Sequence, residues 1–236
     1  MGTEHSATTA PGPTTTGGGE LRRRVGSFEH LGNLRRAKPA LIFACWVWPL
    51  FAGLDVAHVW LTDADDLATL LTLRAVPMPW FLVATWRVSR RPPIGERELW
   101  ILVYGAIYVL LGVVAFECLL TGGLKSYYAE ATIAVLAATT VVPRPARTHA
   151  KHVILAVLVY PVTMVVGALV YPPMQGQLED RGALYAFGAH TVMIWTTGAI
   201  VLLASHRLWM LRREIYETRS IGRYELRRRI GKGGMG

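Results

Sequence analysis

The six residues at the carboxyl end of the chain have types and a spacing suited to holding a phosphate group. They follow the pattern Gly-x-Gly-x-x-Gly and are Gly231, Lys232, Gly233, Gly234, Met235 and Gly236. Because glycine has no Cβ, the backbone amides of such a loop can approach phosphate oxygens closely. The spacing therefore predicts a nucleotide-binding loop, with a chance glycine-rich tail as the simplest alternative.

The residues before this loop indicate a strand with one face in water. Tyr224, Leu226 and Ile230 lie on one side of the predicted strand, and charged residues lie on the other. In a dinucleotide-binding fold the corresponding strand is buried on both faces and is nearly continuous in apolar residues. The arginines at 227–229 disfavour that fold. A protein kinase instead places its glycine-rich loop at the end of an antiparallel strand with one solvated face.

The segment Gly222–Leu226 followed by Ile230–Gly236 resembles the start of a bacterial eukaryotic-like (Hanks-type) Ser/Thr protein kinase domain. The resemblance covers residues 222–236. It implies that the full-length protein binds ATP and Mg²⁺, that the backbone amides of residues 231–236 cover the ATP phosphates, and that Ile230 helps to cover the adenine. It also implies that the full-length protein transfers the γ-phosphate of ATP to Ser or Thr of protein substrates. The catalytic Asp, the strand Lys and the metal-binding Asp of such a domain would lie beyond Gly236. We therefore expect no catalytic residue in this chain and no kinase activity from it alone.

The rest of the chain is unusually apolar for a soluble domain. Of its 236 residues, 52% are hydrophobic and 17% are charged, and apolar residues occur in blocks. A helix needs about 20 apolar residues to cross a bilayer, and six blocks approach that length: Ala40–Leu61, Leu67–Trp86, Leu99–Leu120, Tyr127–Val142, His152–Tyr171 and Ala183–Ser205. The sequence predicts an all-α integral membrane protein, a six-transmembrane-helix bundle followed by a cytoplasmic helix and the first strand of a kinase N-lobe.

Positively charged residues set the predicted orientation in the membrane. Lys and Arg are concentrated at positions 22–38, 87–97 and 144–151, whereas the first connection carries Asp63, Asp65 and Asp66. Because cytoplasmic loops retain positive charge, both termini are predicted to be cytoplasmic, in a multi-pass protein of the bacterial inner (plasma) membrane. The fourth block is the weakest, since it is short and contains Glu130. Without it the glycine-rich loop would lie outside the cell, away from ATP.

These features divide the chain into four predicted parts. Residues 1–38 form a disordered basic cytoplasmic tail, 39–205 the six-helix domain, 206–220 a juxtamembrane helix and 221–236 the start of the kinase domain. The net charge of +9 is attributed to membrane topology, so no nucleic-acid partner is predicted. The juxtamembrane helix has an apolar stripe at Leu208, Leu211 and Ile215. Two interpretations are open: a rod that carries motion of the sixth helix, or a passive spacer whose stripe contacts a second copy in a homodimer.

Six ionisable residues fall inside the predicted helices, all in their outer halves: Asp55, His58, Arg74, Glu117, Glu130 and His190. Such residues are costly in lipid and need a partner or a function. Asp55 and Arg74 lie about 9 Å and about 12 Å from the outer ends of their helices, so we predict an ion pair between them. The six are either an outward-facing pocket that senses a ligand, proton or metal, or polar ties between helices. The sequence has no His-x-x-x-His or Cys-x-x-Cys spacing, and we predict no metal site.

A function of another class is also consistent with the sequence. Small transporters and channels often have membrane helices that are interrupted near the middle, at Gly or Pro. Pro77 and Pro79 in the second block and Pro161 in the fifth fit that pattern. Trp46 and Trp48, by contrast, are predicted to belong to an interfacial aromatic belt at the inner end of the first helix.

Reporter fusions test the predicted topology. Fusions after Arg91, Arg147 and Arg213 are expected to report a cytoplasmic position, and fusions at Asp65, Gly123 and Gln177 an external one, because positive loops stay inside. Paired alkaline phosphatase and green fluorescent protein fusions give the readout. An external signal at Arg147 would contradict the six-helix topology.

Overall fold

The computed structural model of the chain describes residues 17–62, 67–90 and 94–221. Within them the chain forms eight α-helices and no strand. The helices are α1 Gly17–Leu50, α2 Ala52–Thr62, α3 Leu67–Ala75, α4 Met78–Ser89, α5 Glu96–Leu120, α6 Ala129–Ala138, α7 Ala146–Val170 and α8 Arg181–Ile221. Short 3₁₀ turns occur at Gly123–Lys125, Thr139–Val141 and Pro172–Met174. The predicted strand and the glycine-rich loop lie outside the described residues.

Five helical segments are long and apolar enough to cross a membrane. They are Glu29–Leu61, formed by α1 and α2, Leu67–Ser89, formed by α3 and α4, and then Glu96–Leu120, Ala146–Val170 and Arg181–Ile215. Large apolar side chains such as Trp60 and Val170 point out of the bundle and are 79% and 69% exposed. Such a surface is suited to lipid, since lipid tails cover it without cost. The all-α, membrane-type fold is thus present, and the fourth predicted helix is represented by a shorter apolar segment, Ala129–Val141.

The first helix begins much earlier than predicted. Residues 17–38 belong to α1 and are helical, so the expectation of a disordered tail over 1–38 is wrong for this part. Leu34, Ala37 and Leu41 are buried on one face of α1, at helical spacing, and α1 packs against α4. Packing of this face favours a helix that continues past the membrane-length segment. Residues 1–16 lie outside the described part of the chain.

Two of the long segments are each divided into two helices near a proline. α1 ends at Leu50 directly after Pro49, and α3 ends at Ala75 before Pro77. Proline has no N–H to donate and its ring crowds the preceding turn. Tight turns replace the regular pattern: the Phe51 amide donates to the Trp48 carbonyl at 3.2 Å, and the Val76 amide to the Leu73 carbonyl at 3.1 Å. The predicted continuous helices Ala40–Leu61 and Leu67–Trp86 are therefore corrected to pairs of shorter helices.

Helices α5 and α7 lie side by side and run in the same direction. Near their amino ends the Tyr104 hydroxyl lies 2.8 Å from Nδ1 of His149. Near their carboxyl ends Leu119 packs against Gly167 so closely that a Cβ there would lie 2.3 Å from Leu119 Cδ2. Because α5 and α7 are parallel, the chain between them, residues 121–145, which includes α6, has to return along the full length of the bundle.

The return segment runs beside the first part of α8. At one end Lys125 pairs with Asp180, just before α8; at the other end the Arg144 amide donates to Ser205 Oγ at 3.1 Å. These two points of α8 are separated by about 37 Å at the helical rise. The helical residues 129–141 cover about 20 Å of that distance, and the non-helical segments on either side cover the rest. We call the end at Arg144 and Ser205 the basic end and the other the opposite end.

Loops at the opposite end are held by polar contacts to the start of α8. The Leu124 amide donates to Oε1 of Gln177 at 2.9 Å. Asp180 caps α8, since its Oδ1 accepts from the Gly182 amide at 2.8 Å. The hydrogen bond from Lys125, together with the Gly182 amide, lowers the pKa of Asp180 below its ordinary value. These contacts fix where the return segment and α8 begin.

Close packing of α7 on α8 gives a test of this arrangement. A Cβ at Gly198 would lie 2.6 Å from Val157 Cγ1, whereas a Cβ at Gly188, on the same helix, meets nothing within 4 Å. Gly198→Val is therefore expected to lower the free energy of unfolding by about 1–3 kcal/mol through overpacking. The matched control Gly188→Val is expected to be neutral or stabilising, and thermal unfolding in detergent compares the two. Equal effects would contradict the α7–α8 packing.

Candidate functional site

An ion pair between two interrupted helices forms the centre of the site. Asp55 lies in the first turn of α2 and Arg74 in the last turn of α3. Arg74 Nε donates to Asp55 Oδ2 at 2.7 Å and its Nη2 donates to Asp55 Oδ1 at 2.9 Å. Both side chains are buried, at 5% and 0% exposure. The ion pair predicted from depth is present, in the bidentate geometry that makes Arg–carboxylate pairs strong.

A second carboxylate shares the same guanidinium. Glu117, near the end of α5, is fully buried, and its Oε2 lies 3.3 Å from Arg74 Nη2. This contact is ionic only, because neither Glu117 oxygen has a hydrogen-bond donor within the described part of the chain. The cluster thus contains two carboxylates and one guanidinium. With all three groups ionised the cluster carries one net negative charge, which a proton on Glu117 would neutralise.

Aromatic residues complete the surroundings of Arg74. The Tyr128 hydroxyl donates to Asp55 Oδ1, and Trp48 Nε1 donates at 2.8 Å to the Arg74 carbonyl, in the last turn of α3, where helical donors run out. The guanidinium carbon lies 4.5 Å from the Trp48 ring centroid and 5.8 Å from that of Phe51. Attraction between a cation and a ring face strengthens in a dry site. Arg74 therefore joins α1, α2, α3, α5 and the loop before α6.

Sequence reasoning missed three of these aromatic residues as part of the site. Trp48 is 6% exposed, so its assignment to an interfacial belt is wrong. The break after Pro49 lets both Trp48 and Phe51 pack beside Arg74. The sequence signal for this arrangement was a proline at 49 between two aromatic residues, Trp48 and Phe51. Tyr128 lies at the start of the fourth apolar block and was missed because only charged residues and histidines were considered for the cluster.

The other predicted cluster residues separate into two groups. His58 borders the cluster, with its ring 5.3 Å from that of Tyr127 and 6.1 Å from that of Tyr128. Glu130 is exposed, because Ala129 and Thr132 occupy the buried face of α6. Its inclusion in a shared polar cluster is thus wrong.

His190 lies between α7 and α8, away from the cluster. Its Nδ1 is 3.3 Å from the Tyr160 hydroxyl, and its inclusion in one shared cluster is wrong as well. His190 was grouped with the cluster because it lies in the outer half of its predicted helix. The face of α8 that carries it is turned toward Tyr160 of α7. This pair is a separate polar tie.

A further polar group that the sequence did not suggest joins α5 to α7 toward the basic end. The Tyr108 hydroxyl lies 3.0 Å from Nδ1 of His152, in register with the contact of Tyr104 and His149. The rings of Tyr104 and His152 stack with centroids 3.7 Å apart. The two tyrosines are four residues apart on α5 and the two histidines three residues apart on α7, so each pair lies on one face of its helix and the two faces meet. The group fixes the parallel register of the two helices.

Residues 230–236, from Ile230 to Gly236, are the predicted nucleotide loop and lie outside the described residues. Within residues 17–62, 67–90 and 94–221, no three His, Cys, Asp or Glu side chains come together as a group that could hold a metal ion. No protein-family model matches the chain, and no curated protein or solved structure is significantly similar to it.

The unequal contacts of Arg74 predict a ranking of three substitutions. Arg74→Gln is expected to be the most damaging, because it leaves two buried carboxylates without a counter-charge. Asp55→Asn removes both strong hydrogen-bonded ion contacts and is expected to cost about 3–5 kcal/mol. Glu117→Gln removes only a charge that lacks hydrogen bonds, so its cost is expected to stay below about 1 kcal/mol. Denaturant unfolding in detergent micelles measures all three.

The double variant Asp55→Asn/Arg74→Gln supplies the control for direct pairing. Its loss of stability is expected to be smaller than the sum of the two single losses, because residues in contact are not additive. Additive losses, or a Glu117→Gln variant less stable than Asp55→Asn, would contradict the geometry described.

Proposed function

We propose that the chain is the membrane anchor and sensor module of a bacterial Ser/Thr protein kinase. The observation that carries the proposal is the length of α8, which continues without a break for 41 residues from Arg181 to Ile221. At the helical rise it extends about 60 Å, twice the hydrocarbon thickness of a bilayer. It ends where the kinase-like segment begins at Gly222. A single rigid element therefore joins the opposite end of the bundle to the segment that resembles a kinase.

Six crossings with both termini in the cytoplasm are part of this proposal. The parallel arrangement of α5 and α7 supports it, because the segment between them has to return along the bundle although its helix is short. Together with the five long segments this gives six traversals, an even number. The basic end, with its concentration of arginine, is then cytoplasmic, and ATP is available to the segment after α8.

The sensor part of the proposal rests on a chain of contacts from the ionic cluster to α8. Asp55 accepts a hydrogen bond from the Tyr128 hydroxyl. The Tyr128 amide in turn donates to Ser126 Oγ at 3.3 Å. One residue before Ser126, Lys125 pairs with Asp180 at the amino end of α8. A change in charge at Glu117 alters the force on Arg74 and hence on this chain. We propose that such a change shifts the loop before α6 and, with it, the start of α8.

A second candidate function is transport, and a particular observation favours it. The α1–α2 and α3–α4 breaks place helix ends beside the buried charges of Asp55 and Arg74, as in transporters with discontinuous helices. If this alternative holds, vesicles containing the chain carry a proton or ion flux that Glu117→Gln abolishes. The kinase proposal expects no such flux.

Nucleotide binding tests the kinase proposal. Residues 1–236 alone are expected not to bind Mg-ATP, because the Lys and carboxylate walls of a kinase cleft would follow Gly236. A protein that continues through a complete kinase domain is expected to bind ATP and phosphorylate protein substrates. In that protein Gly233→Val is expected to weaken ATP use, since a side chain blocks the approach of the backbone to phosphate. Isothermal titration and a radiolabelled phosphate assay provide the measurements.

Two outcomes would contradict the proposal. One is kinase activity from residues 1–236 that survives removal of contaminating kinases. The other is a gene whose reading frame beyond Gly236 lacks the Val and the Val-Ala-x-Lys strand that follow such a loop. The second outcome, combined with a flux in vesicles, would favour transport.

A further inference from the structure

The basic end of the bundle contains a cavity of about 390 Å³, within the usual size range of small-molecule sites, about 300–1,000 Å³. It lies where α1, α5, α8 and the connection at Pro143–Pro145 meet. Five arginines line it: Arg35, Arg36, Arg144, Arg212 and Arg213. Among the described residues, the acidic side chains that line the same cavity are Glu29 and Glu96. Among the described lining residues, arginines therefore outnumber acidic side chains by three.

Contacts within the wall leave part of this positive charge without compensation. Arg212 Nη1 is buried and has no hydrogen-bond acceptor among the residues that the structure describes. Arg36 lies close enough to Arg212 for the two guanidinium groups to repel each other. Glu29 lies beside Trp209 and Arg213. A buried donor without an acceptor is costly, and an anion between Arg36 and Arg212 would remove that cost.

The type of anion follows from the chemistry of the wall. Guanidinium groups are planar forks of donors that match the oxygens of phosphate, and several together hold a group with more than two acceptor oxygens. The guanidinium carbon of Arg144 lies 3.8 Å from the ring centroid of Trp100, so this side chain is held in place by stacking as well as by charge. Trp209 lines the cavity too, and Trp side chains are typical of the headgroup level of a membrane.

We propose that this cavity binds a phosphate group, supplied by the headgroup of an anionic lipid or by a soluble phosphate compound. Basic pockets between membrane helices on the cytoplasmic side are suited to such headgroups. The bound phosphate joins α1 to α8 through Arg36 and Arg212, near the point where α8 leaves the bundle. This site requires neither the kinase nor the transport function, and its binding properties are measurable independently of both.

The test uses the whole chain purified in a maltoside detergent and phosphate-free buffer. The probes are short-chain phosphatidylglycerol, inorganic phosphate and, as a phosphate-free lipid, a monoacylglycerol of the same chain length. Tryptophan fluorescence follows thermal unfolding at increasing probe concentration, and the shift of the midpoint gives the dissociation constant. Arg36→Gln/Arg212→Gln is compared with Arg147→Gln/Arg207→Gln, an equal change of charge at two exposed residues of the same end that do not line the cavity.

Phosphatidylglycerol, inorganic phosphate or both are expected to raise the midpoint of the wild-type chain, and monoacylglycerol is not. Binding of both probes indicates that the phosphate group is sufficient, and binding of phosphatidylglycerol alone identifies a lipid site. The Arg36→Gln/Arg212→Gln variant is expected to bind at least about 25-fold more weakly, about fivefold per arginine, while the control pair changes affinity less than about twofold.

Two results would overturn the proposal: no midpoint shift with either phosphate probe, or equal weakening in the two pairs of variants. If the Arg36→Gln/Arg212→Gln protein does not fold, Arg212→Gln alone is compared with Arg207→Gln. The expected difference is then about fivefold, and its absence counts against the site.

Discussion

A charge that leaves water for lipid must be satisfied by the protein itself, and Arg74 is where this fold meets that requirement. Its guanidinium reaches two carboxylates and is covered by aromatic rings, and its own carbonyl accepts from Trp48. No single helix can supply these groups. The partners come from five separate parts of the chain, so satisfying one side chain also fixes how the first half of the bundle is assembled.

The interruptions at Pro49 and Pro77 belong to the same requirement. A continuous helix presents side chains at fixed angles, and a break lets the chain turn a residue toward a partner it would otherwise miss. Asp55 is in the first turn after one break, and Arg74 in the last turn before the other. Proline has no N–H to donate at either break, and the two breaks bring the buried ion pair of Asp55 and Arg74 together. At the second break the Arg74 carbonyl accepts a hydrogen bond from Trp48 Nε1 at 2.8 Å, so a side chain takes the place of a helical donor.

Sequence reasoning predicted well how deep a residue lies along its helix, but predicted poorly which neighbouring helix its side chain faces. The helical rise was enough to place Asp55 and Arg74 at the same level, and their pairing followed from charge. It could not determine which helices are neighbours, and for that reason Glu130 and His190 were grouped with residues whose faces point elsewhere. Tyr128 and Trp48 escaped notice for a related reason: a loop that folds back into a bundle, and a helix that turns at a proline, change direction without changing composition. The membrane-type fold depended only on composition and was predictable.

The short helix of the return segment has a consequence for how the protein is made. A segment inserts into a bilayer by itself only if it is long and apolar enough, and residues 129–141 cover about two-thirds of the hydrocarbon thickness. The chain on either side includes buried residues, among them Leu124, Tyr128 and Val142, whose backbone cannot face lipid. Helices α5, α7 and α8 pack around this stretch, and Asp55 of α2 accepts a hydrogen bond from Tyr128 at its start. During synthesis, the ribosome must therefore complete α8 before the middle of the bundle can take its final place.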